Sequence, residues 1–76
     1  MITNTTDAIY KSGLAANIIS LRHTLARAMV DATTACKDLG DGQFRAAVGA
    51  VLPIDQALCD ARALLDSILI LNRNLS

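Results

Sequence analysis

Leu14, Ile18, Leu21, Leu25, Ala28, Ala32, Ala35 and Leu39 recur in alternating steps of four and three. That spacing keeps one side of an α-helix apolar through successive heptads. The alternation resumes after a short break as Phe44, Ala47, Val51, Ile54, Leu58, Ala61, Leu65 and Ile68. Strands are not indicated, because no stretch alternates with period two. The break is Gly40-Asp41-Gly42, and so short a connection makes consecutive helices antiparallel neighbours. The pattern therefore predicts an all-α fold, an antiparallel two-helix hairpin in a single domain over residues 1–76. The expected bounds are a helix over about 6–38, a turn over about 39–42 and a helix over about 43–73.

Local signals refine the ends. Residues 1–5 read as a polar leader, Thr5 or Thr6 as the first cap, and Asp7 as a first-turn anion that suits the helix dipole. Asp7 and Lys11 form an i,i+4 pair in the favourable order. Gly40 fits the left-handed position past a helix end, Lys37 complements that last turn, and Asp41 can cap the next helix. Pro53 falls inside the second helix. It removes one backbone bond and crowds the preceding turn. No Ser, Thr, Asp or Asn directly precedes it to cap a fresh start, so a kink near Pro53 is expected rather than two helices, with Gly49 easing the bend.

The apolar surface exceeds what one hairpin hides. A second stripe runs through Ala15, Ile19, Arg22, Ala26, Met29, Thr33 and Cys36 beside the first, leaving Asn17, Ser20, His23, Thr24, Arg27, Asp31, Thr34 and Asp38 as the polar side. A helix with two apolar flanks has room for two neighbours, as in a four-helix bundle. Near the C-terminus, Leu64, Leu65, Ile68, Leu69, Ile70 and Leu71 cover almost the whole circumference, the signature of a helix covered on all sides. The hairpin is thus expected to complete a bundle with a partner chain or a second copy. The partner interface is assigned to Ile19, Ala26 and Met29 on the first helix and to Leu64, Leu69 and Leu71 on the second.

Composition sharpens this expectation. Apolar residues make up 53% of the 76 residues, but the chain has one Phe, one Tyr and no Trp, so each buried residue contributes little area. A chain this short is near the limit at which one core suffices. Formal net charge is zero, and the seven Lys and Arg are scattered. Nucleic-acid binding, which needs a concentrated positive field, is disfavoured. The longest charge-free apolar run, 46–54, is about half the ~20 residues of a membrane span. With no signal-like leader at the start of the chain, a cytoplasmic location is expected.

No set of residues identifies a reaction, and neither an enzyme nor a cofactor or small-molecule substrate is indicated. His23 is the single histidine and has no converging second ligand or base in sequence reach. In an antiparallel hairpin Cys36 and Cys59 stand ~20 Å apart along the axis, whereas a disulfide needs Cα atoms within about 7 Å. Both read as free thiols at helix packing positions. The Asp residues lack the ligand spacing of a calcium loop.

One segment resembles a known family. Gly42-Gln43-Phe44 at the turn, followed by Ala57-Leu58, Ala61, Leu64-Leu65 and Ile68 to Leu71, is similar to the small helical-hairpin co-chaperones of type III secretion needle subunits. The similarity spans roughly residues 21–71, with an interval between Phe44 and Ala57 about one helical turn longer than in that family. It implies a non-enzymatic protein that binds a second chaperone and shields an aggregation-prone client. The residues alone leave a broader set: a chaperone or adaptor, a self-associating bundle, a subunit of a secretion or filament assembly, or a dimeric nucleic-acid-binding regulator. The last would need a face that brings together Arg22, Arg27 and Arg45 from two copies.

Overall fold

A computed structural model describes the backbone of residues 2–74 and the side chains of residues 6–74. It contains two helices, α1 (Ile2–Gly40) and α2 (Phe44–Asn74), and no strand among the described residues. They lie side by side in a rod of 62 × 14 × 13 Å. The all-α hairpin predicted by the heptad spacing is the fold.

The ends differ from the sequence expectations in instructive ways. Helix α1 already runs through residues 2–5, so Thr5 and Thr6 lie inside it and do not cap it; Met1 lies outside the described residues. Thr and Asn are weak helix formers, but nothing before Gly13 breaks a helix outright. The turn uses Gly42, not Gly40, in the left-handed region, at φ 74°. The Gln43 amide donates to the Asp38 carbonyl at 2.7 Å and the Gly42 amide to the Leu39 carbonyl at 3.1 Å. These two bonds make a Schellman closure with Gly42 just past the helix end, and Gly40 remains helical. The Gln43 carbonyl then accepts the first bond of α2, from the Ala47 amide at 3.0 Å. Gln43, not Asp41, therefore holds the N-cap position.

Helix α2 continues through Pro53 as one element rather than splitting there. Pro53 is exposed, so water can reach the Gly49 carbonyl that lacks its usual partner. The described ion pair at i,i+4 spacing is Arg62 Nε to Asp66 Oδ1 at 3.3 Å. Asp7 and Lys11 do not close to ion-pair distance.

Burial sets the seam between the helices. On α1 the less exposed residues are Tyr10, Leu14, Asn17, Leu21, Thr24, Ala28, Asp31, Ala35 and Asp38, with Gly13 and Ala32 beside that line; on α2 they are Ala47, Ala50, Ile54, Ala57, Ala61, Leu64, Ile68 and Leu71. Both series alternate steps of three and four, as a two-helix coiled coil requires. Their register is marked where a Cβ at Gly13 would lie 3.6 Å from Leu71 Cδ1. Counting inward from there places Leu21 beside Leu64, Ala28 beside Ala57 and Ala35 beside Ala50.

This seam shares only half of the apolar stripe read from each helix. Leu14, Leu21, Ala28 and Ala35 belong to both, but Ile18, Leu25 and Leu39 are exposed. Their expected places beside α2 are taken by Asn17, Thr24, Asp31 and Asp38, which had been assigned to the outer polar side. On α2, Phe44, Val51, Leu58 and Leu65 are likewise exposed, and Ala50, Ala57, Leu64 and Leu71 face α1 instead. Each helix is turned so that its apolar stripe points about half a quadrant away from the other helix. The core that results is small. Among the described residues only Ala35, Ala47 and Ala61 are buried, and no large side chain is fully enclosed.

Candidate interaction surface

In an antiparallel pair, the same flank of each helix falls on the same side of the hairpin. The side chains displaced from the seam therefore converge on one open face. The register stacks them as four rungs, Ile18 with Leu65, Leu25 with Leu58, Ala32 with Val51, and Leu39 with Phe44. Each of the four rungs is uncharged, and their large members are exposed to differing degrees, from Leu65 at 37% to Phe44 at 67%. A shallow apolar depression along the α1 half is lined by Ile18, Leu21, Leu25, Ala26 and Met29, with Arg22 at its edge. Met29 on α1, with Val48 and Leu69 on α2, extends the face outward, and all three are exposed.

The opposite side of the hairpin is polar. Its groove is lined by Thr24, Arg27 and Asp31 from α1 and by Pro53, Gln56 and Asp60 from α2. Gln56 Nε2 donates to Asp60 Oδ1 at 2.9 Å along that edge. The rung-bearing side is the more apolar of the two from Ile18 and Leu65 to the turn; one heptad further out the same line carries exposed Lys11 and Asn72, and Ile9, Val30, Leu52 and Ile70 are exposed apolar side chains elsewhere on the rod. Exposed apolar surface on this scale marks a contact surface.

The residues assigned to a partner from sequence fall into three groups. Met29 and Leu69 border the apolar face. Ile19 and Ala26 are exposed, but one further step around α1, away from α2. Leu64 and Leu71 are half-buried in the seam against α1, so they are removed from the free surface. The heptad spacing puts them outside because it gives the stripe through Leu58 and Leu65 to the hairpin itself. The same spacing puts the rung residues Ile18, Leu25, Leu39, Phe44, Val51, Leu58 and Leu65 in the seam. A signal for the correct rotation was present: Ala50, Ala57, Leu64 and Leu71 also form a heptad line on α2, adjacent to the one chosen.

Other candidate chemistry is dispersed. His23 is exposed beside Arg27 and Asp31, and no three His, Cys, Asp or Glu side chains among the described residues are grouped as metal ligands. Cys36 and Cys59 are free and exposed, rather than at packing positions. Arg22 borders the apolar face whereas Arg27 lines the polar groove, so the two lie on different sides of one hairpin. No described helix is long and apolar enough to cross a membrane. No family model matches the chain, and no curated protein or solved structure matches it.

Proposed function

We propose that this protein is a non-enzymatic interaction module that works by docking its rung-bearing face onto another helical surface. The observation that carries this reading is the rotation of both helices away from their own apolar stripes. A hairpin built to stand alone would point those stripes at each other. Here the stripes converge on a line in front of the hairpin, where the axis of a four-helix bundle would run, and Asn17, Thr24, Asp31 and Asp38 fill the flank left behind. In a bundle each helix has two neighbours, and its apolar stripe bisects them.

The exposed Phe44 at the turn end of the face supports a more specific use, shielding an apolar helix of a client, as the resemblance of Gly42-Gln43-Phe44 to secretion co-chaperones implies. Both uses rest on the same surface. The test is to place lysine on each side of the hairpin and weigh the complexes the chain forms by native mass spectrometry. Leu25→Lys with Leu58→Lys should abolish every stable complex. Ser20→Lys with Ser67→Lys, on the polar side, should leave them intact. Equal behaviour of the two pairs would overturn the proposal.

A further inference from the structure

We infer that the occupant of the apolar face is a second copy of this chain, packed antiparallel so that the turn of one hairpin lies at the open end of the other. The inference rests on the docking reading above and names its partner and geometry. Three observations carry it.

The first is area. The chain exposes 5848 Å², whereas a compact folded protein of its 8.0 kDa exposes roughly 4450 Å². The excess, about 1400 Å², belongs to the whole rod rather than to one face, and it exceeds the ~800 Å² per partner that a standard stable interface buries. Its radius of gyration tells the same story, at 17.6 Å against about 11 Å for a compact domain of this length. A neighbour of similar length and shape covers such a face along its whole extent, and a second hairpin is one.

The second is the order of side-chain sizes along the face. The Ala32–Val51 rung is small, and the Leu25–Leu58 rung next to it is large. With the hairpins antiparallel, each small rung of one copy meets the large rung of the other. The bulkiest rung, Leu39–Phe44 at the turn, then meets Ile18–Leu65. With the turns together, the small rung would meet itself and leave a void, while the Leu39–Phe44 rung would crowd its twin. Interiors pack to uniform density, so the antiparallel arrangement is the one that fills space. The third observation is charge: the rungs carry none, and a net charge of zero gives two copies no long-range repulsion.

The two-fold axis then crosses the face between its two middle rungs. There α1 of one copy lies across α1 of the other, and Met29 meets Met29 of its mate. Cross-linking reads this directly. In a Cys36→Ser, Cys59→Ser background, Met29→Cys should convert most of the chain to a disulfide-linked dimer under mild oxidation, with helicity unchanged by circular dichroism. Val48→Cys, with the native Cys36 retained and Cys59→Ser, is the control, since those two positions face each other only when the turns lie together. It should give little dimer. Dimer through Val48→Cys instead would overturn the antiparallel arrangement and leave the docking face standing. A wild-type chain that weighs as a monomer by light scattering at all concentrations overturns self-association. If that monomer still binds an apolar dye at the face, and loses it in Leu25→Lys, the docking reading survives. If it binds none, both fall.

Discussion

Gly42 and Gly40 stand two residues apart and do opposite things. A side chain at Gly42 would have to adopt φ near +74°, a conformation that disfavours L residues by about 1–2 kcal/mol. Gly40 is helical, and a Cβ there meets nothing within 4 Å. Gly42→Ala should therefore lower stability by about 1 kcal/mol, whereas Gly40→Ala should leave it unchanged or raise it by up to about 1 kcal/mol. Urea midpoints of the two variants check this, and reversed signs would contradict the closure described. The sequence showed that a turn lies at Gly40-Asp41-Gly42. Which glycine closes it depends on the Asp38 and Leu39 carbonyls that accept the last bonds, and either glycine satisfies the local composition rule. The same ambiguity moved the cap of α2 from Asp41 to Gln43.

At the level of the helices, the apolar lines were legible and their direction was not. Three adjacent heptad lines compete on each helix, and burial energy alone does not say which pair faces the covalently attached neighbour. Reading Ile18, Leu25 and Leu39 as seam residues chose the most apolar pair of lines on α1. That choice is off by one line for the hairpin contact. The polar residues left in the seam give a test. Asp31 is half-buried at the register position of Ile54, and no described hydrogen bond or ion pair holds its carboxylate. Asp31→Leu should add about 1 kcal/mol of stability, roughly half of what full burial of a leucine contributes. Were Ile18 and Leu25 turned toward α2 instead, position 31 would point to solvent, and the thermal or urea midpoint would not rise.

On the scale of the whole molecule, a rod whose described core consists of three alanines has little of its own to offset the conformational entropy of about 1–2 kcal/mol per ordered residue. On the docking reading proposed above, much of its stability comes from what covers the apolar face, and stability that comes from association depends on concentration. The sequence anticipated a partner from the surplus of leucine and isoleucine near the C-terminus, yet Leu64 and Leu71 in that cluster proved to serve the hairpin. Leu65, Leu69 and Ile70 of the same cluster remain exposed, and the apolar exposure extends along the Leu25–Leu58 side as well. The most direct measurement of the central claim is the urea midpoint of the purified chain followed over a thousand-fold range of concentration, with its mass measured alongside. The account predicts a midpoint that climbs steadily with concentration while the folded species weighs about twice the 8.0 kDa of one chain. A midpoint that stays fixed, for a folded species of one chain's mass, would contradict it.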